Sequence, residues 1–94
     1  MKARHATDAI RLIDIPNIGP AVAEKLGMLG IREPRHLMKK NPYRLYKKLC
    51  VLTKERHDPC LLDVFMAATD FMNGAIPKEW WRYTKARKTA YPRL

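Results

Sequence analysis

Apolar positions along this chain fall at helical rather than strand intervals. Ile18, Val22, Leu26 and Leu29 recur at steps of three and four residues, which predicts an amphipathic helix from Pro20 to about Leu29. Gly30 follows as its C′ glycine. Leu45, Leu49 and Leu52 make a second stripe, and Asn41-Pro42 ahead of them reads as N-cap plus N1. That predicts a helix from Pro42 to about Lys54. Asp58-Pro59 repeats the same grammar before a run that is apolar nearly all round, Leu61 to Met72, with Gly74 beyond it. A helix from Pro59 to about Asn73, apolar on every side, is expected at the centre of the fold.

Two weaker stretches complete the pattern. Thr7 or Asp8 can cap a helix running to about Asp14, with Ile10, Leu12 and Ile13 as its apolar side. Glu33-Pro34 opens another through Lys40, with Leu37 and Met38 turned inward. After Ile76-Pro77 come Trp80, Trp81 and Tyr83, and then a basic tail, residues 85–94, expected to be irregular. No alternating strand pattern appears. The expectation is one all-α domain of five helices spanning residues 1–94.

An internal echo lies in the pattern. Pro20 and Pro59 are both helix-start prolines, and at the same offset Val22 meets Leu61, Leu26 meets Phe65, Ile10 meets Leu49 and Ile13 meets Leu52. Two hairpin units joined by a connector helix would give this echo, with Arg56 to Pro59 as a second, degenerate hairpin lacking glycine.

Between the first two helices lies Ile15-Pro16-Asn17-Ile18-Gly19-Pro20. Pro16 fixes φ, and Asn17 and Gly19 are the residue types that best tolerate positive φ. Pro20 then suits the first helical position. Such a turn would aim free backbone N–H groups outward at a helix N-terminus, a ready site for phosphate.

Charge adds a partner class. The net charge of the 94 residues is +10, unevenly spread. Residues 1–31 hold four basic and three acidic groups; residues 32–56 hold nine and two; residues 57–76 hold three acids and no Lys or Arg; residues 77–94 hold six and one. Basicity of this size favours a polyanion, nucleic acid before membrane. The other reading is a soluble basic protein with no such partner. The hairpin segment itself is nearly neutral. No apolar run reaches membrane-spanning length and no signal-peptide pattern opens the chain, so a soluble cytoplasmic protein is expected. Cys50 and Cys60 are too few for a disulfide scaffold and are expected to be free.

Other chemistry competes with plain structural readings. His57-Asp58-Pro59-Cys60 places a thiol at a helix start, where the dipole favours thiolate. Cys50, His57 and Cys60 match no standard zinc spacing. Asp58 as a cap, His57 on a backbone group and two small core cysteines explain the cluster more simply. Asp63 and Asp70 share a helix face and read as solvated acids rather than a catalytic pair, since neither nucleophile nor phosphate loop accompanies them. Trp80 and Trp81 could stack on bases, but more simply close the core. Neither catalysis, metal nor cofactor is expected.

The Pro16–Pro20 turn resembles the helix-hairpin-helix motif, usually Leu-Pro-Gly-Ile-Gly-Pro before a short helix. That resemblance implies hairpin amides binding duplex DNA phosphates without reading sequence, sometimes with a monovalent cation on hairpin carbonyls. Asn17 stands for the first hairpin glycine, and Ala21 stands where many members carry Lys or Arg. Together with Leu29-Gly30-Ile31, Leu49-Cys50, His57-Asp58-Pro59-Cys60, Leu62-Asp63-Val64-Phe65 and Trp80-Trp81, the turn looks like the pathogenicity-locus family of small bacterial helix-hairpin-helix proteins, over about residues 10–88. The C-terminal domain of TfoX-type competence regulators looks like a more distant relative. The resemblance implies a DNA site at Asn17, Ile18, Gly19, Ala21 and Lys25, with Arg44, Lys47 and Lys48 adding attraction from the next basic helix. The rival is an interaction module that keeps the fold without binding DNA, for which Ala21 and the neutral hairpin speak.

Overall fold

The computed structural model describes all of residues 1–94, and every regular element in it is helical. Four α-helices are present: α1 (Pro20–Met28), α2 (Pro42–Thr53), α3 (Cys60–Met72) and α4 (Thr84–Ala90). Four 3-10 turns join them, at Ala6–Asp8, Leu12–Asp14, Pro34–Leu37 and Trp80–Tyr83.

The central helix is α3. Leu62, Phe65, Ala68 and Phe71 are buried, and α2, α4 and the 3-10 turns at Pro34–Leu37 and Trp80–Tyr83 all pack on it. From α2 come Leu45, Tyr46 and Leu49; from α1 and its flanks come Ile15, Ile18, Leu26, Leu29 and Ile31. Local chemistry sets the helix ends. Asn41 Oδ1 accepts from the amides of Tyr43 (2.9 Å) and Arg44 (3.2 Å), and Asp58 Oδ1 accepts from Cys60 N at 2.8 Å. Gly30 (φ 85°) closes α1 in a Schellman turn, with Ile31 N on Leu26 O at 2.9 Å and Gly30 N on Gly27 O at 3.0 Å. Gly74 (φ 107°) closes α3 in the same way.

Five expected helices thus become four, and the differences have local causes. Between Thr7 and Asp14 no α-helix forms. The Asp14 carboxylate accepts from the amides of Arg11 (2.8 Å) and Ile10 (3.1 Å), offering this backbone an alternative to helical bonds. Ile10, expected inside, is 82% exposed. The Glu33–Lys40 helix shrinks to one 3-10 turn. Lys39 takes φ 62°, and its amide is drawn to Asn73 Oδ1 (3.1 Å). Met38 and Leu52, expected inside, are about half exposed. The tail expected to be irregular contains α4 instead.

The internal echo is only partly carried into packing. Leu26 and Phe65 are both fully buried, but Ile10 is exposed where Leu49 is buried. Between α2 and α3 the left-handed residue is Lys54 (φ 57°), ahead of Arg56 to Pro59.

The largest departure concerns Asp63. It was expected on a solvated strip and is fully buried. Arg87 of α4 donates Nε to Asp63 Oδ1 at 2.9 Å, and Thr84 Oγ1 donates to Oδ2 at 2.6 Å. The Arg87 side chain is itself buried, and the bond to Asp63 raises its pKa further above the usual range. Only Asp70 is exposed, and it accepts from the Tyr83 hydroxyl at 2.9 Å.

Candidate nucleic-acid interface

The turn before α1 departs from expectation in where its positive φ lies. Asn17 carries it (φ 73°), whereas Gly19 is extended (φ −98°, ψ −178°) and serves as N-cap of α1. A Cβ added at Gly19 would meet no atom within 4 Å. Asn17 suits the left-handed position because its short polar side chain can bond locally or across the fold. Here it bonds across the fold. Nδ2 donates to Lys78 O (2.8 Å) and Oδ1 accepts from Trp80 N (3.2 Å). The turn is thereby tied to the segment that leaves α3.

Backbone groups around the turn divide into committed and free. Ile18 is buried, and its amide donates to Ile15 O (3.1 Å), so it has no donor left for a phosphate. The amides of Gly19, Ala21 and Val22 find no acceptor in the chain, and α1 has neither a side-chain cap nor an acid in its first turn. By contrast, α2 and α3 spend their first amides on Asn41 and Asp58. Pro20 and Ala21 are exposed, so the amide end of α1 faces solvent.

The near-neutral hairpin segment acquires charge by folding. Lys2 donates its ammonium to the carbonyls of Ile13 and Ile18, directly under the turn. Ala3 N donates to Asp14 O at 2.7 Å and pins the same N-terminal arm. Lys78 lies on the other side, where Lys2, Pro16, Asn17, Pro77, Lys78 and Glu79 line a cleft of about 290 Å³. Lys25, half-buried on α1, has no carboxylate partner. Neither Lys2 nor Lys78 was singled out from the sequence, and no local signal there ties either to the turn.

Of the expected site residues, Asn17, Ile18, Gly19, Ala21 and Lys25 share the turn and α1. Arg44, Lys47 and Lys48 lie together on the exposed face of α2, again without carboxylate partners, but α2 packs on α3 while α1 packs on the 3-10 turn Leu12–Asp14. A free cation on the hairpin carbonyls does not fit the residues present, because the Lys2 ammonium already lies on those of Ile13 and Ile18.

The competing chemistry has little support in the geometry. Cys50 and Cys60 are both free and half-buried. Burial, then the neighbouring Asp58 carboxylate, pushes the Cys60 thiol up, which opposes the thiolate that a helix start would favour. His57 lies with Nε2 at 2.8 Å from Thr53 Oγ1 and Nδ1 at 3.6 Å from Glu55. No three of the His, Cys, Asp and Glu side chains converge as a metal site would require. Trp80 packs against the core, with Trp81 edge-on to it (centroids 5.8 Å apart, planes at 84°) and 59% exposed. No helix is long and apolar enough to cross a membrane.

Comparison with known proteins places the chain. A mitomycin resistance protein, McrB, of Streptomyces lavendulae is 36% identical over 83 residues, which cover 88% of this chain and 79% of that protein. No solved structure matches. The pathogenicity-locus family (Cdd1) matches residues 5–89, nearly the whole chain, and the protein belongs to that family.

Proposed function

We propose that this protein binds duplex DNA without reading its sequence, through the amide end of α1. In this reading the 3-10 turn Leu12–Asp14, the Ile15–Gly19 turn and α1 form a helix-hairpin-helix unit whose first helix is cut short. The observation that carries the reading is the uncapped, unpaired set of amides at Gly19, Ala21 and Val22, beside the exposed Pro20 and Ala21. A helix N-terminus with its first amides unpaired favours a phosphate. Lys2 under the turn and Lys25 in the last turn of α1 add positive charge to the same unit, and Arg44, Lys47 and Lys48 add longer-range attraction.

Fluorescence anisotropy with a short duplex, at several salt concentrations, tests it. Each neutralised phosphate adds about 0.9 to the slope of log affinity against log salt. A hairpin-centred mode gives a slope of about 2–4 and little sequence preference. Ala21→Glu puts a carboxylate in the first turn of α1 and is expected to weaken binding beyond the loss from a Glu placed elsewhere on the surface. Equal binding by Ala21→Glu and by the unmodified protein refutes the reading. Deleting the tail is not a clean control, because Arg87 is the partner of buried Asp63.

A second reading, a protein-interaction module, is favoured by Val51 and Leu52, which stand exposed side by side on α2 (76% and 52%). Survival on mitomycin with and without the protein tests separately whether the resistance named for the Streptomyces relative extends to this chain.

A further inference from the structure

We infer that the Lys2 ammonium is a built-in cation of the turn before α1, filling a carbonyl cradle that would otherwise take a free monovalent ion of potassium size. The inference stands on the carbonyl geometry alone and does not require DNA. The oxygens of Ile13 and Ile18 lie five residues apart in the chain, yet both accept from the one Nζ. They converge because Pro16 and Asn17 reverse the backbone between them, Asn17 at φ 73°. Two carbonyl dipoles aimed at one point favour a positive charge there, as rings of backbone carbonyls do in ion-selective filters. Asp14, beside the cradle, adds attraction for the same charge.

The ammonium does not arrive by chance of an unanchored side chain. Ala3 N on Asp14 O holds the arm one residue further on. An ammonium has three donors and two are spent here, so one is left over, and Lys2 lines the cleft it shares with Asn17, Pro77, Lys78 and Glu79. Lys2 itself lines that cleft beside Asn17, so an ion taking the place of the lysine head can enter from it. Ammonium and potassium are close in size, whereas choline is too bulky to sit between the two oxygens.

The experiment compares the unmodified protein with Lys2→Met and Lys2→Arg, in potassium chloride and in choline chloride at equal ionic strength. Thermal unfolding and the resonance of thallous ion, a potassium surrogate, are the two readouts. The unmodified protein is expected to have the same midpoint in both salts and no potassium-displaceable thallous signal. Lys2→Met is expected to lose several degrees in choline, to recover at least half of that in potassium, and to show a displaceable thallous signal. Lys2→Arg, which keeps a donor cation, is expected to show less potassium dependence than Lys2→Met. A displaceable thallous signal in the unmodified protein would overturn the inference, since a free ion would then share the cradle. So would Lys2→Met with an unchanged midpoint, or one whose loss potassium does not repair, including a variant unfolded in both salts.

Discussion

Arg87→Met isolates the ion pair whose two side chains are both buried. The change keeps an unbranched side chain of similar reach and removes the guanidinium. Asp63, fully buried, is then left with Thr84 Oγ1 as its remaining side-chain donor. Arg87 lies 24 residues further along the chain and is the only cation paired with Asp63. Removing one partner of a buried ion pair costs about 3–5 kcal/mol. For a domain of this size each kcal/mol moves the thermal midpoint by about 4–8 °C, so the expected fall is roughly 12–40 °C. Total stabilities of small domains are about 5–15 kcal/mol, and the variant would be partly unfolded at the low end of that range. The double variant Asp63→Leu with Arg87→Met removes both charges. It is expected to regain most of the loss, because an apolar replacement of a buried pair is often neutral or stabilising by about 1–4 kcal/mol. Thermal unfolding followed by far-ultraviolet circular dichroism reads all four corners of the cycle. A fall of less than about 4 °C for Arg87→Met would refute the assignment of Arg87 as the counter-ion that holds α4 on α3.

Asn17 and Gly19 should exchange the roles their residue types suggest. Asn17→Val loses the bonds to Lys78 and Trp80 and forces a β-branched residue to φ 73°, and is expected to cost about 2–4 kcal/mol by chemical denaturation; Gly19→Ala, at an extended position with open space, should stay within about 1 kcal/mol. Tyr83 gives an alkaline signature. Burial, and then its bond to Asp70, push its pKa up to about 12. The folded state therefore holds this proton more tightly than the unfolded chain, whose tyrosines titrate near 10. The contribution is complete below about pH 10 and is lost as pH rises toward 12. Unfolding midpoints across that window should decline less steeply in Tyr83→Phe than in the unmodified protein.

The parts of the fold that were legible in the sequence are those written in backbone grammar. Asn41-Pro42, Asp58-Pro59, Gly30 and Gly74 mark helix ends through bonds reaching only two to five residues, so a one-dimensional reading finds them. The all-round apolar character of α3 likewise announced a helix packed on several sides. What failed was decided by partners distant in sequence. Asp63 looks solvated until Arg87, 24 residues later, is brought against it. Lys39 ends its 3-10 turn on Asn73, 34 residues away. Residues 7–14 failed for a local reason: the Asp14 carboxylate competes for the amides of Ile10 and Arg11, and apolar spacing does not register that competition. In the candidate site, Gly19, Ala21 and Lys25 could be placed from the turn and helix signals. Lys2 and Lys78 could not, because the Lys2 charge comes to the turn on the N-terminal arm and Lys78 on the segment after α3.

The bonds from Asn17 to Lys78 and Trp80 also set a timetable for the chain as it is made. They close loops of 61 and 63 residues, so the turn that opens α1 is among the first parts synthesised and among the last to be locked. At about 5–20 residues per second, a ribosome needs roughly 3–13 s to add the residues between Asn17 and Trp80. During that interval Asn17 lacks the two bonds that secure its left-handed conformation in the finished fold. A nascent chain stalled before Trp80 should therefore expose the turn to protease, and one stalled well beyond it should protect the same bonds.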